Sequence, residues 1–331
     1  MPAENGTPMM RTEAQPRRPE DMEDVPFVRD LAFEYGQAAD VSPLIRRVVA
    51  RNPSPFTFHG TGTYIVGRGR VAIIDPGPDL DEHVRALLAA VAGETVTHLL
   101  VTHTHLDHSP AARAIKAATG AKTHGFGPHA AGAGGAKVEE GGDFDFVPDV
   151  VLRDGDVVRG SGWTVEAVHT PGHISNHLCF ALPEERALFS GDHVMGWSTT
   201  VIAPPDGDMG HYLASLDKVM RRDEETYWPT HGPPIREPRR FVAALIGHRR
   251  ARERQILDCL AAGTTTVTAM VERMYKDVPR VLHGAAAQTV LAHLLHMIED
   301  GRVACLGEPG LESVFGPGAR QRASTRRRSP R

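Results

Sequence analysis

The chain has 331 residues, of which 41% are hydrophobic, and its 37 lysines and arginines nearly balance 41 aspartates and glutamates, for a formal net charge of −4. This length accommodates one large and one small domain, and the composition is that of a soluble globular protein. No apolar stretch approaches the ~20 residues that a membrane helix needs, so we expect no membrane partner.

The predicted elements begin after residues 1–24, which are rich in proline and charged residues and lack the apolar core of a secretory signal. We therefore predict a disordered N-terminal segment. Apolar patterning then predicts strands at 60–66, 71–74, 96–101, 121–126, 150–152, 156–158, 163–168, 178–182 and 186–189. Helical spacing follows at 80–91, 111–118 and 210–220. Short strands interspersed with helices favour an α/β fold.

The three cysteines, Cys179, Cys259 and Cys305, are far apart and form no Cys-x-x-Cys pair. Cysteines in such a pattern are typically buried free thiols. They indicate a reducing environment, and we therefore expect a cytoplasmic location.

Three histidines and an aspartate follow the predicted strand 96–101 directly: His103, His105, Asp107 and His108. In an extended chain alternate side chains point to the same side, so His103 and His105 can reach one metal ion. Asp107 and His108 follow as the chain turns and can serve a second ion. The end of a strand is also the usual place for a site on an α/β sheet. The pattern predicts a metal site here.

The spacing His-x-His-x-Asp-His resembles the signature of the metallo-β-lactamase superfamily. That family has three further ligands downstream, a histidine, a bridging aspartate and a last histidine. This chain offers them in order, in Thr170-Pro171-Gly172-His173, Phe189-Ser190-Gly191-Asp192 and Pro229-Thr230-His231-Gly232. The resemblance covers residues 25–310 and implies an αββα sandwich with metals at one edge. It also places Asp75 near the metals, although capping the turn after its strand is an alternative role.

The resemblance implies two metal ions. One would be held by His103, His105 and His173, three imidazoles that suit a tetrahedral Zn²⁺ with one open position. The other would be held by Asp107, His108 and His231. The carboxylate of Asp192 would bridge the two ions. We expect two Zn²⁺, although Mn or Fe also suits this mixture of ligands.

Two divalent cations ~3.5–4 Å apart produce hydroxide from a bridging water near neutral pH. This metal-bridging hydroxide would be the nucleophile, and Asp107 would pass a proton from the water to the leaving group. His177 and His193 lie near the ligands in sequence and would line the cleft or orient a ligand. A purely structural role for either histidine is the alternative.

The C-terminal part predicts a second domain. Residues 25–235 would form the catalytic domain, 236–310 a small winged-helix-like domain and 311–331 a basic disordered tail. Helices are predicted at 239–260, 267–275 and 282–298, with Thr266 as a cap and a wing strand at 302–306. The run 248–257 resembles the motif that opens this domain in the β-lactamase-like-2 family.

A winged helix suggests nucleic acid, but the helix predicted at 282–298 contains no lysine or arginine. A helix that enters a nucleic-acid groove should be basic. We therefore interpret this domain mainly as a wall of the active-site cleft or as the surface of a homodimer.

The resemblance implies a dinuclear metal-dependent hydrolase. Because the β-lactamase-like-2 proteins include a single-strand-specific endoribonuclease, cleavage of phosphodiester bonds in single-stranded RNA is the first expectation. Glyoxalase-II-like hydrolysis of a small thioester, ester or lactone is the alternative. A non-catalytic metal-binding scaffold is a second alternative, which the complete set of ligand positions disfavours.

Overall fold

Two β-sheets packed face to face form the centre of the protein, which the computed structural model describes over residues 25–130 and 141–320. The predicted disordered segment 1–24 and most of the predicted tail, residues 321–331, lie outside this description.

The first sheet has seven strands in sequence order within the described residues. They are β1 (Ala39–Asp40), β2 (Ile45–Val49), β3 (Gly62–Val66), β4 (Arg70–Ile74), β5 (Thr95–Leu100), β6 (Lys122–Gly125) and β7 (Val150–Val151). Neighbouring strands are antiparallel from β1 to β4 and parallel from β4 to β7.

The second sheet has the order β12-β11-β10-β9-β8. Its strands are β8 (Val157–Arg159), β9 (Thr164–His169), β10 (Leu178–Leu182), β11 (Ala187–Gly191) and β12 (Thr226–Pro229). Only the β11–β12 pair is parallel in this sheet. The helices of the described chain are α1 (Asp81–Ala90), α2 (Ala112–Thr119), α3 (Met209–Met220), α4 (Pro238–Ala261), α5 (Val267–Met274) and α6 (His283–Glu299).

Apolar layers explain how these elements stack. Between the sheets, Ile74 and Leu100 pack in one cluster with Phe180 and Phe189, and all four are at most 1% exposed. Burying a side chain of this size contributes about 1.5–3 kcal/mol. Helices α1 and α2 cover the outer face of the first sheet, while α3 and the start of α4 cover that of the second. The layers are therefore α, β, β and α, which confirms the predicted sandwich.

The carboxyl ends of two parallel strand pairs meet at one edge of this sandwich. Strands β4 and β5 run in parallel in the first sheet, and β11 and β12 in the second. Hydrogen bonds from Thr102 and Thr230 to Asp75 connect the ends of the two pairs. Every motif that carries a predicted metal ligand follows a strand at or near this edge.

The C-terminal domain has its own core, built from α5, α6, the end of α4 and a two-stranded wing. The wing pairs β13 (Val303–Cys305) with β14 (Phe315–Pro317) in antiparallel fashion. The prediction that the disordered tail begins at residue 311 is therefore wrong over its first residues. Phe315, only 1% exposed, fills the domain core and holds β14 in place.

Helix α4 joins the two cores. Phe241 and Leu245, in its first half, pack in the core beneath the second sheet, whereas Ile256 and Leu260, near its end, pack in the core of the C-terminal domain. The predicted domain boundary at residue 236 therefore lies just before a helix that contributes to the cores of both domains.

Residues 280–299 form the one helix of the described chain that is long and apolar enough, by length and composition, to span a membrane. The sequence analysis predicted a helix at 282–298 but did not consider it a candidate membrane span. Half of this stretch is buried inside the protein, where α6 packs against α3, α4 and α5. These contacts are those of a core helix.

Candidate metal centre

Asp75 ties together the segments that carry the predicted ligands. Its Oδ1 accepts a hydrogen bond from the backbone N–H of Thr102 at 2.7 Å, and its Oδ2 accepts from the hydroxyls of Thr102 and Thr230, both at 2.8 Å. Oδ2 also lies 2.9 Å from Nδ1 of His108, which donates to it. Asp75 itself turns sharply after β4, with a φ of 48°. It therefore performs both of the roles considered from the sequence, shaping the turn and orienting a predicted ligand.

Three predicted ligands converge as one group. Nδ1 of His105 lies 3.0 Å from Nε2 of His103 and 3.1 Å from Nε2 of His173. His103 and His105 come from the segment after β5, and His173 from the turn between β9 and β10. The ligand atoms of these three side chains lie within 4.8 Å of one another, which is the spacing of a metal site.

A second group contains Asp107, His108 and His231. Oδ2 of Asp107 lies 3.0 Å from Nε2 of His231 and 3.4 Å from Nε2 of His108. Asp192 lies between the two groups, since its Oδ2 is 3.5 Å from Nε2 of His108 and 4.0 Å from Nε2 of His173. The structure therefore brings all seven predicted ligands together, with Asp192 between the two groups.

Contacts at Nδ1 orient three of the imidazole rings. Nδ1 of His173 lies 2.8 Å from the carbonyl oxygen of Val201, and Nδ1 of His231 lies 3.3 Å from that of Gly60. With His108 held by Asp75, three of the rings present Nε2 to the centre. Such contacts fix the tautomer and the direction of a metal-binding histidine.

Burial sets the protonation of the first group. It lowers the pKa of His103, His105 and His173, and neighbouring imidazoles lower the first two further. These rings are neutral near pH 7, and the neutral imidazole is the form that binds a metal ion.

The carboxylates dominate the second group. Burial alone would lower the pKa of His231, but Asp192 and Asp107 outweigh it and raise this pKa to about 10. Burial would likewise raise the pKa of Asp107, yet His108 and His231 hold it below its usual range. The two carboxylates are therefore ionised and attract positive charge, which a metal ion supplies in exchange for protons.

The donor set fits metal ions. Nε2 of His108 and Oδ1 of Asp192 are buried and have no hydrogen-bond partner among the described residues. Burying such atoms without a partner is costly, and metal coordination would satisfy both. The clusters of His and Asp side chains are thus able to bind metal ions.

The structure places the two other candidate histidines, His177 and His193, in different surroundings. Nε2 of His177 accepts a hydrogen bond from the backbone N–H of Asp192 at 3.2 Å, and Nδ1 lies 2.8 Å from the hydroxyl of Thr170. His177 therefore holds the segment that carries Asp192. His193 is fully buried, but its ring packs against Tyr212 and neither ring nitrogen has a hydrogen-bond partner among the described residues. The ring of His193 therefore packs as a structural element.

Sequence reasoning missed the threonines around the site. Thr102, Thr170 and Thr230 precede the ligand residues of their motifs and bond to Asp75 or His177. Thr200 comes from a different segment, and its hydroxyl lies 3.1 Å from Nδ1 of His173. The recurrence of threonine at the start of three motifs was the available signal, whereas nothing in the sequence marks Thr200.

Comparisons with known proteins agree with this geometry. Residues 57–231 match the family model described as the metallo-beta-lactamase superfamily, and residues 266–310 match the beta-lactamase associated winged helix domain. The chain is 31% identical over 287 residues to an atrochrysone carboxyl ACP thioesterase of Aspergillus chevalieri, covering 83% of this chain and 87% of that protein.

A beta-lactamase-like protein 2 homolog of Caenorhabditis elegans is 31% identical over 271 residues, which cover 80% of this chain and 87% of that protein. A beta-lactamase domain protein of Burkholderia ambifaria has the same fold, with a TM-score of 0.71 at 20% identity over 87% of this chain and 96% of that one. The chain belongs to the metallo-beta-lactamase superfamily and is a hydrolase of that superfamily with a C-terminal winged-helix domain.

Proposed function

We propose that this hydrolase cleaves a thioester, the reaction that the sequence analysis held as the alternative to RNA cleavage. The observation that carries the proposal is the similarity, over most of both chains, to a relative named as an acyl carrier protein thioesterase. The absence of lysine and arginine from α6, the helix that a winged helix would place on nucleic acid, supports the same choice.

The residues that would hold two Zn²⁺ are the seven that converge at the sheet edge, with Asp192 between the two groups. When bound, the ions lower the pKa of water and polarise the scissile carbonyl. Mixed nitrogen and oxygen ligands of this kind favour zinc and also accept Mn or Fe.

Asp107 is the residue of this chain that moves a proton. Its carboxylate is ionised, since His108 and His231 outweigh the effect of burial on its pKa. It accepts a proton as water attacks the carbonyl carbon, and the proton passes to the departing sulfur. One C–O bond forms and the C–S bond breaks, which yields a carboxylic acid and a thiol.

A thioester needs less assistance from an acid than an ester does, because a thiol has a pKa of about 8.5 and leaves readily as the thiolate. The site contains carboxylates that accept protons and histidines that are held as neutral or paired rings. This arrangement matches a reaction in which activating the water matters more than protonating the leaving group.

The test uses purified, zinc-loaded protein and three substrates: an acyl thioester of N-acetylcysteamine, the matching oxygen ester and a labelled single-stranded RNA. We expect release of thiol from the thioester, with little hydrolysis of RNA. His105→Ala should abolish turnover, whereas His211→Ala, at an exposed position far from the ligands in sequence, should leave it unchanged.

If the protein cleaved RNA in a His105-dependent manner and left the thioester uncleaved, the proposal would be overturned and the protein would be a ribonuclease. Bound zinc without turnover of any substrate would instead identify a metal-binding scaffold.

A further inference from the structure

A cavity of about 240 Å³ lies between the catalytic domain and the C-terminal domain. The segment 195–201, which follows the bridging Asp192, forms one wall, and helices α4 and α6 form another. For comparison, a cavity of about 150 Å³ in a protein core is large enough to bind benzene. The space is thus sufficient for an organic group of ring size or larger.

Most of the cavity wall is apolar. Phe56, Met195, Trp197, Val278 and Leu282 line it, and they come from three separate parts of the chain. A mainly apolar lining with few polar groups is typical of a small-molecule site. Its few charged groups should therefore determine which molecule it accepts.

Arg249 is the principal charged group. It is 2% exposed and forms no ion pair with a carboxylate of the described residues, and its guanidinium carbon lies 5.2 Å from the centre of the Tyr212 ring. One nitrogen donates to the carbonyl oxygen of Thr200 at 2.6 Å, while Nε is buried and has no hydrogen-bond partner in the described chain. A buried charge without a counter-ion is costly, so a ligand that brings a negative charge would be stabilised here.

A second arginine on α4, Arg252, adds to the positive charge of the cavity, whereas the neighbouring His248 is neutral. Arg252 stacks on Tyr275, and its buried Nε also has no hydrogen-bond partner among the described residues. Burial lowers the pKa of His248 to about 3, and the charges of Arg249 and Arg252 contribute to this shift. These residues belong to the run 248–257, which resembles the motif that opens the winged-helix domain and lies in the arginine-rich helix that the sequence favoured for contact with an anion.

The cavity adjoins the metal centre through a single segment. Arg249 contacts the carbonyl of Thr200, and the hydroxyl of Thr200 and the carbonyl of Val201 contact Nδ1 of His173. One residue therefore separates the guanidinium from a metal-binding histidine.

We propose that this cavity binds the acyl part of the substrate and that Arg249, with Arg252, recognises a carboxylate on that acyl group. The inference rests on the proposed thioester reaction. It narrows the substrate to thioesters whose acyl group is mainly apolar and carries a carboxylate. A carrier protein would hold the acyl group through an arm that also contains a phosphate. This phosphate is a poorer ligand for Arg249 than an acyl carboxylate, because a long chain separates it from the thioester whereas Arg249 lies close to the centre.

The test compares two N-acetylcysteamine thioesters that differ by one carboxylate, those of phenylacetic acid and 4-carboxyphenylacetic acid. We expect the wild type to favour the carboxylated thioester in kcat/KM. Arg249→Gln should remove this preference by lowering kcat/KM for that substrate at least about tenfold, which is typical of a lost charge-assisted hydrogen bond. Arg250→Gln, one residue along α4 and exposed, is the matched control.

A second variant guards against misfolding of Arg249→Gln. Ala285 lines the cavity from α6 and is partly exposed, so Ala285→Phe should fill the cavity while the helix is retained. We expect it to weaken turnover of both aromatic thioesters and to spare the acetyl thioester.

A binding measurement with ligands that are not cleaved tests this inference separately from the proposed function. The primary amides of the same two acids are measured by calorimetry, and we expect tighter binding of the carboxylated amide that depends on Arg249. Equal turnover of both thioesters, insensitive to Arg249→Gln and Ala285→Phe, would overturn the inference and leave the thioesterase intact. Arg249-dependent binding of the amide with no thioester cleavage would support the cavity as a carboxylate-binding site and overturn the proposed function.

Discussion

The metal centre and the C-terminal domain are stabilised by opposite means. The centre buries charged and polar side chains that satisfy one another, as Asp75 does with four hydrogen bonds. The C-terminal domain buries apolar side chains around Phe315 and Met270. Replacing a side chain at the metal centre should therefore mainly lower catalysis, whereas replacing a core side chain of the C-terminal domain should mainly lower stability. The following substitutions test this difference.

The largest effect is expected at a ligand. His103→Ala removes one of three converging imidazoles, so zinc content should fall and hydrolysis should drop on the order of a thousandfold or more. Metal analysis and steady-state kinetics on the same sample measure both quantities. Full activity with normal zinc content would show that the three-histidine group is not the metal site.

In the C-terminal domain, Phe315→Ala should lower the free energy of unfolding by about 3–5 kcal/mol because it leaves a cavity in the core. Denaturant titration measures the change. Val314→Ala, the exposed neighbour on the same segment, is the control and should change stability little. Equal effects of the two variants would contradict the packing of the wing described here.

At the centre, Asp75→Asn retains the shape of the side chain but loses the charge that orients His108. Activity or zinc affinity should fall about 10- to 100-fold, the usual cost of disturbing a residue that orients a ligand. Asp79→Asn, exposed and four residues away, should leave both unchanged. A variant of Asp75 that binds zinc normally and retains its rate would show that the residue only shapes the turn.

The smallest effect is a pH dependence in the C-terminal domain. Burial lowers the pKa of His293 to about 4 from an ordinary value of 6.5, so the unfolded chain takes up a proton first as the pH falls. The domain therefore loses stability from about pH 6.5 down to pH 4. His293→Leu should remove about 1.4 kcal/mol of the loss between pH 7.5 and pH 5.5.

Thermal unfolding at the two pH values tests this prediction, with His211→Gln, at an exposed histidine, as the control. An unchanged pH dependence in His293→Leu would show that other groups cause the acid sensitivity.

The same contrast explains what could be predicted from the sequence. The ligands stand in short motifs next to strand ends. Local spacing indicated the first four, and the resemblance to the superfamily supplied His173, Asp192 and His231. Strand β2 was missed because Arg46 and Arg47 interrupt its apolar pattern, although Arg47 is buried in the structure. The wing strand β14 was missed because only Phe315 of its residues is strongly apolar. The cytoplasmic location and the homodimer stay predictions.

The cavity beside Arg249 could not be predicted, because its wall combines segments that are distant in sequence. Phe27, Phe56, Trp197 and Leu282 meet only after both domains have folded. Arg249 itself resembles a surface residue in a run of arginines, and only its 2% exposure distinguishes it from its neighbour Arg250.

Helix α4 is continuous over 24 residues, or about 36 Å, and both hydrophobic cores are built onto it. The two domains therefore share a rigid rod in place of a flexible linker, and hinge closure around a substrate would require this rod to bend. The width of the cleft is set when the protein folds. Evolution of a new acyl preference would then proceed by exchanging side chains in the wall, while the metal centre and the spacing of the domains stayed constant.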